Sequence, residues 1–528
     1  MLKNKIFNDI INKFNLMELE SKFIPESDEG YIEYKLRLDY IDNGKINRLS
    51  SQMKYRINEG IILNNEPIAL YILGIDDRGN PGINMNVLSK TIDIISLVAQ
   101  NCNAIITHQE IYEMCKINKY MIAMVYIKQC KKEIHINEFR IAMMGASNHG
   151  KTTCVSYMTY NEKDNGSGLS RMTIFKHAHE QTSGMTSSIK HDIFGLTNDT
   201  IQNYKSKDAT WNKIAEKSDM VVSLFDLPGS LKYYRTTYYG ISSLNCDMNA
   251  IIISIYDCMS DGFLDIPHQT LWYIKLSIEF MIPFIIIITK IDLIGNDESK
   301  IDEMIIYLNN FIDKIRPNTK VQFISVSNIT GKNYDKLIDI IKSNAYKTKN
   351  KRYDAKTKDF LIYDVICSKD IGQIVSGISL GNDIKINEKL YIGPYENKFY
   401  PITIKSIRKK LIETDTIYNY ESGSLEIIAD NNELTIDKHM TIMDADTINN
   451  LKKYVHISTK YIDKIKENYR YVLYVDNIIE LTKVNKIDSQ NNIVVLEMNE
   501  KMIYIRENSN CILKNDTTNE LGYFGKII

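Results

Sequence analysis

The chain has 528 residues, 44% of them hydrophobic and 25% charged, with a formal net charge of −1. That length exceeds what one core serves and predicts three or four domains. The near-neutral balance excludes a global polycationic field, so any nucleic-acid contact must come from a local patch.

The eight cysteines form no C-x-x-C pair, which argues for a reduced intracellular protein without structural zinc. The first residues, MLKNKIFNDIINKFNL, are charged throughout and lack the apolar core of a signal peptide. The most apolar run, FMIPFIIIIT (280–289), is far too short to span a bilayer and reads as a central buried strand. The expectation is a monomeric cytoplasmic protein with no membrane association.

Residues 1–135 read as a small α/β domain. YKLRLDYI (34–41) and IALYILGIDDRGNPGI (68–83) suggest strands and a turn, and VLSKTIDIISLVAQNC (87–102) has helical apolar spacing. Residues 136–346 repeat strand, turn and helix. FRIAMMG, VVSLFD, AIIISIYD, PFIIIITK and VQFISVS are the strand candidates, and LWYIKLSIEFM is among the helical segments. That alternation predicts a doubly wound parallel sheet with its ligand site at the strand C-termini. After the basic stretch KTKNKRYDAKTK (347–358), short alternating strands with Gly, Asn and Asp turns predict two β-barrels, over 356–446 and 450–528.

Four motifs end four of the central strands. GASNHGKT (Gly145–Thr152) fits G-x-x-x-x-G-K-[ST]. Gly145 and Gly150 let the backbone curl so that N–H groups, with those of Asn148, His149 and Thr153, surround a phosphate. Lys151 reaches the β/γ oxygens and Thr152 offers a hydroxyl to Mg²⁺. DLPG (226–229) places Asp226 near the metal and the Gly229 amide near a γ-phosphate. TKID (289–292) fits [NT]-K-x-D: the Asp292 carboxylate can accept both N1–H and N2–H of guanine, the Lys290 stem can cover the base, and Thr289 closes the strand. SVSNITG (325–331) supplies Ser327 and Asn328 for the guanine O6. Each motif alone has a bland reading as a turn or a solvated loop, but their order and strand-end placement point together to GTP. A threonine ahead of DLPG must sense metal and γ-phosphate; within SGMTSSI the choice is Thr186, with Thr182 as the alternative.

The sequence resembles translational GTPases of the elongation factor Tu class, and within them the GTP-binding protein 1 and 2 branch. The likeness rests on IFKHAHEQTSGMTSS (174–188), LPGSLKYYRTTYYG (227–240), ITKIDLI (288–294), IGQIVSGISLGNDIKINEKLYIGP (371–394), LGIDDRGNPG (73–82) and the closing LGYFGKII. It implies an α/β P-loop GTPase domain, a small N-terminal α/β domain and two C-terminal β-barrels. It also implies GTP/GDP and Mg²⁺ as cofactors, with Thr152, Thr186 and Asp226 around the metal, and work on the ribosome, tRNA or another RNA. Two positions depart from the family pattern. Asn148 stands where elongation factors usually carry Asp, a position associated with a monovalent cation. Ser230 stands where the family places a histidine that orients the attacking water, so Thr186, Gly229 and Ser230 form the hydrolytic set and slow hydrolysis is expected. The competing reading is a scaffold in RNA turnover or partner assembly that binds GTP without hydrolysing it.

Other signals carry less. His177-Ala178-His179 has metal-like spacing without a third ligand, and Trp211 and Trp272 read as packing residues. The 347–358 stretch could equally touch RNA or be solvated charge, and Arg408-Lys409-Lys410 reads as solvated charge.

Overall fold

The computed structural model describes residues 25–528 except positions 28, 39–42, 65, 103, 114–119, 130–134, 176–177, 206–208, 261–262, 296, 349–356, 369–371, 430–433, 449, 500, 516 and 519. The chain divides into two compact units, one ending at Glu133 and the other beginning at Ile134.

In the first unit β1 (Ile32–Lys35), β2 (Ile68–Leu73), β3 (Ala104–Glu113) and β4 (Met121–Gln129) form one sheet in the order β1-β2-β4-β3, parallel only between β1 and β2. Two helices, α1 (Asn43–Asn64) and α2 (Met85–Asn101), cover one face with a core that includes Met53, Ile57, Leu88, Ile95 and Val125. The 34–41 expectation is corrected here. The strand lies two residues earlier and ends at Lys35, and residues 39–42 fall outside the described set. Arg56 of α1 is buried and pairs with Glu33 and Glu26, which satisfies a charge that could not otherwise leave water.

The second unit opens with a seven-stranded sheet. Its strands are β5 (Glu138–Met144), β6 (Lys190–Leu196), β7 (Ile201–Gln202), β8 (Met220–Asp226), β9 (Met248–Ser254), β10 (Phe284–Thr289) and β11 (Gln322–Ser325), in the order β11-β10-β9-β5-β8-β6-β7. The five strands from β11 to β8 are parallel and are those the sequence marked. The sheet is nevertheless mixed, because β6 runs antiparallel to β8 and carries β7 on its outer edge. The helices α3 (Lys151–Tyr160), α4 (Tyr234–Ser243), α5 (His268–Glu279), α6 (Glu298–Ile315) and α7 (Tyr334–Lys347) pack on its two faces. β9 and β10 bury isoleucines on both faces, as a central parallel strand demands.

Two six-stranded barrels follow. The first closes when strand Lys389–Tyr395 pairs with both Thr441–Met443 and Lys398–Lys409. The second closes when Tyr454–Ser458 pairs with both Ile493–Met498 and Tyr523–Ile527; its strand Asn510–Asn515 was not marked in the sequence.

Both barrels dock on the central layer. Trp272 donates its indole N–H to the Gly522 carbonyl at 2.9 Å and packs against Phe524, while Tyr238 meets the ring of Tyr474. Tyr238 and Tyr239 are thus core residues of the interface. The solvated reading of Arg408-Lys409-Lys410 is corrected for two of its three members. Lys409 is 1% exposed and pairs with Glu421, and Lys410 crosses to Glu138 of β5 at 2.6 Å. Only Arg408 stays on the surface, paired with Glu413. No described helix is long and apolar enough to cross a membrane.

Candidate functional site

The C-terminal ends of the parallel strands converge on a cavity of about 390 Å³. Its lining includes Asn148, Gly150, Lys151, Thr152, Thr153, Thr186, Gly229, Ser230, Lys290, Asp292 and Asn328. Five sequence-marked residues do not line it. Gly145 is not part of its wall, Asp226, Thr289 and His149 are buried outside it, and Ser327 lines a neighbouring cavity beside Asp292.

The phosphate loop has the backbone its glycines predict. Gly145 has φ +150° and a side chain there would run into the Ile252 carbonyl; Gly150 has φ +89°. Asn148 also sits in the left-handed region, at φ +65°, which asparagine tolerates better than other side chains. The loop is tied to its neighbours by Thr289 Oγ1, which donates to the His149 carbonyl at 2.7 Å, and by Asn328 Nδ2, which donates to the Gly150 carbonyl at 3.3 Å. The His149 Nδ1 accepts the Ser254 N–H at 3.2 Å. Burial, aided by the Lys151 charge, pulls that imidazole down to about 4, so it is a neutral packing group at pH 7.

Lys151 is 6% exposed and donates to the Ala146 carbonyl at 2.9 Å. Burial pulls its ammonium down to about 8, against the opposing pull of Asp226. Gly229 approaches so closely that a side chain there would strike this ammonium and the Gly145 carbonyl. Gly229→Ala is therefore expected to lower affinity for the ligand by at least about tenfold, read by equilibrium titration, because the displaced ammonium loses a charge-assisted contact.

Thr152, Thr186 and Asp226 meet at one point. Thr152 Oγ1 lies 2.6 Å from Asp226 Oδ2 and 2.9 Å from Thr186 Oγ1, and Thr186 Oγ1 lies 3.4 Å from the same carboxylate oxygen. Asp226 is fully buried, its Oδ1 has no hydrogen-bond partner, and burial raises its carboxyl despite Lys151 and Thr152. Two hydroxyls and an under-satisfied carboxylate form an all-oxygen donor set of the kind Mg²⁺ takes. Among the described residues no group of three or more His, Cys, Asp or Glu side chains is placed to hold a metal ion. Of the two threonine alternatives, Thr186 occupies this point, whereas Thr182 lies in the short helix Ala178–Ser183. His177 and the side chain of His179 lie outside the described residues.

Thr186 is held there by a device the sequence did not reveal. Glu180, fully buried, accepts from the Ser187 N–H and hydroxyl at 2.9 and 2.8 Å and pairs with Lys190 of β6. Ser230, by contrast, is half-buried and accepts the Lys232 N–H at 3.4 Å, as the cap of the short turn Leu231–Tyr233. On the base side, Lys290 adopts φ +60° and pairs with Asp257 at 2.6 Å, turning the chain so that Asp292 faces the cavity. Ser327 Oγ accepts the Thr330 N–H at 3.1 Å, and Asn328 Oδ1 accepts the Tyr334 hydroxyl at 2.6 Å. Asp164 and Arg171 also line the cavity, although no motif marks them.

Residues 137–347 match the model of the elongation factor Tu GTP-binding domain. This segment belongs to that family. The GTP-binding domain and what surrounds it are similar to human GTP-binding protein 2, 23% identical over 503 residues that cover 88% of this chain and 80% of that one. They are also similar to GTP-binding protein 1 of Xenopus laevis, 26% identical over 416 residues, 72% of this chain and 59% of that one. Among solved structures, the S. cerevisiae Ski7 GTPase-like domain bound to GDP and inorganic phosphate superposes with a TM-score of 0.59 at 18% identity, covering 75% of this chain and 98% of that one. Bacterial selenocysteine-specific elongation factor EF-Sec gives 0.57 at 16% identity, over 74% of this chain and 58% of that one. The two superpositions establish the shared fold, a GTP-binding domain followed by barrels.

Proposed function

We propose that the protein is a translation-factor-like GTPase that converts GTP to GDP and phosphate slowly, and that GTP locks its GTP-binding domain for work on an RNA partner. The observation that carries the reading is the convergence of four motif segments on one cavity, with Lys151 and the Thr152–Thr186–Asp226 cluster at one end and Asp292 at the other.

In this reading the Gly145–Thr152 amides and Lys151 hold the β- and γ-phosphates, the Gly229 amide reports the γ-phosphate, and Asp292 reads guanine, with Ser327 and Asn328 framing its O6 side. Thr152, Thr186 and Asp226 would hold Mg²⁺, which would supply charge neutralisation to the phosphates. The buried Thr186 and Gly229 exclude bulk water from that end, and Ser230 is left to orient the attacking water. A hydroxyl reaches less far than an imidazole and cannot become cationic. Its bond to Lys232 also competes for it.

The RNA-directed part is supported by a second cavity, about 720 Å³, between the GTP-binding domain and the first barrel. Arg235, Arg408 and Lys438 line it together with Trp211, cations and a ring suited to a phosphate backbone and a stacked base.

The test begins with the nucleotide retained by the purified protein, followed by single-turnover hydrolysis with and without ribosomes. Wild type is expected to bind GTP normally and to hydrolyse it about a hundredfold more slowly than Ser230→His, the lower end of what a well-placed general base contributes. Equal rates would remove Ser230 as the cause. GTP held intact for hours in the presence of ribosomes would replace this reading with a non-hydrolysing scaffold.

A further inference from the structure

The family pattern leaves a gap at Ser230, and the structure brings a cation to the same cavity from an unmarked segment. Arg171 sits on the short helix Leu169–Thr173, between α3 and Thr186 in sequence. Its Nη1 donates to the Gly184 carbonyl at 3.1 Å, so the guanidinium lies against the backbone two residues before the threonine that joins Thr152 and Asp226. Arg171 shares the cavity wall with Lys151, Gly229 and Ser230.

This arginine is not a stray surface side chain. Asp164 fixes its helix by accepting from the Gly166 and Gly168 N–H groups at 3.0 and 3.2 Å and from the Ser170 N–H and hydroxyl, both at 3.1 Å. Ser156 of α3 adds a bond to the Ser170 carbonyl at 2.7 Å. Gly168 has φ +87°, and a side chain on it would occupy the space of the guanidinium. From the far side, Glu180 anchors Ser187 and Ser188, so both ends of the Gly184–Thr186 strip are held. Within this framework the Arg171 Nε is buried and has no hydrogen-bond partner. The side chain that carries it is part of the wall of the cavity, where an anion would meet the guanidinium charge.

We infer that Arg171 acts in cis as the arginine that neutralises charge on the phosphoryl group being transferred, an inference that rests on the GTPase reading above. The reaction forms one bond from water oxygen to the γ-phosphorus and breaks the bond to the β,γ-bridging oxygen, with the water's protons leaving on phosphate and to solvent. Negative charge grows on the bridging oxygen and the equatorial oxygens, which is where a fixed cation helps most. Arg171 transfers no proton. It does the electrostatic share of the work, and the weak water-positioning at Ser230 then slows hydrolysis without abolishing it.

The experiment compares wild type, Arg171→Ala and Arg171→Lys in three readouts: GDP affinity, single-turnover GTP hydrolysis, and trapping of GDP with aluminium fluoride, which mimics the transferring phosphoryl group. Wild type is expected to trap GDP with aluminium fluoride unaided. Arg171→Ala is expected to lose trapping and about a thousandfold in hydrolysis, the scale of an arginine supplied to such a site. Its GDP affinity should stay within about threefold, a split that a merely structural role would not produce. Arg171→Lys keeps the charge without the planar fork and should recover less than a tenth of the rate. Wild-type rate and trapping in Arg171→Ala would overturn the inference while leaving the GTPase reading intact. A wild type that binds GDP but neither traps it nor hydrolyses GTP would also overturn it, and a wild type without guanine-nucleotide affinity would instead overturn the reading of the site.

Discussion

Asp292→Asn is expected to cut GTP affinity by about a thousandfold and to confer binding of xanthosine triphosphate. A carboxylate facing guanine accepts from N1–H and from the exocyclic amino group, and each charge-assisted bond is worth about 1.5–3 kcal/mol. Asparagine keeps one acceptor oxygen but turns an NH₂ donor toward one of those donors, so one bond is lost and a donor is left unmatched. Xanthine carries a carbonyl in place of the amino group and would accept from that NH₂. The structural basis is local: Ile291 is buried, Lys290 is turned by its φ of +60° and anchored by Asp257, and Asp292 is left facing the cavity. Equilibrium titration with both triphosphates checks the exchange. Unchanged GTP affinity in the variant would mean that the base lies elsewhere.

Lys410→Met is expected to destabilise the docking of the first barrel on the GTP-binding domain by about 3–5 kcal/mol, the usual result of removing one member of a buried ion pair. Lys410 and Glu138 have side-chain exposures of 5% and 6%, and Ser422 and Ser223 complete the carboxylate's shell. Burial alone would raise the Glu138 carboxyl, but the charges of Lys410 and Arg140 outweigh it and hold the carboxyl well below its usual range. A carboxylate depressed in the folded state contributes fully above the ordinary glutamate value of 4.5 and loses that contribution as pH falls below it. The difference between wild type and Lys410→Met should therefore be largest near pH 7 and shrink toward pH 4, where the unpaired Glu138 of the variant becomes neutral. The first transition in urea unfolding, measured across that range, is the readout. A gap independent of pH would show that Lys410 acts through packing alone, and Lys410→Met with Glu138→Gln should recover part of the loss.

Much of the candidate site was legible because its parts are short and sequential. Gly145–Thr152, Asp226–Gly229, Thr289–Asp292 and Ser325–Gly331 each follow a strand whose apolar run is visible in the sequence, and each requires particular residue types at fixed spacing. The elements that were missed lack such a signature. β6 reads KHDIFGL, and its charged first residues hide a strand whose Lys190 is buried only because Glu180 comes to meet it. The long helix α1 is mostly polar, and its buried stripe of Leu49, Met53, Arg56 and Ile57 includes a cation.

The sequence by itself determined the strand-end motifs, the Asp292 carboxylate proposed to read guanine and the succession of α/β layer and barrels, since each follows from local residue order and hydrophobic period. The tertiary structure alone decided which polar groups those motifs would share their space with. Arg171 meets the carbonyl of Gly184, thirteen residues away along the chain and two before Thr186. Lys410 lies 272 residues from Glu138, its partner across a domain interface. The physical reason is that a charge reads alike in sequence whether it is solvated or buried. Its partner, and therefore its function, is set by desolvation, which exists only once the chain has folded around it.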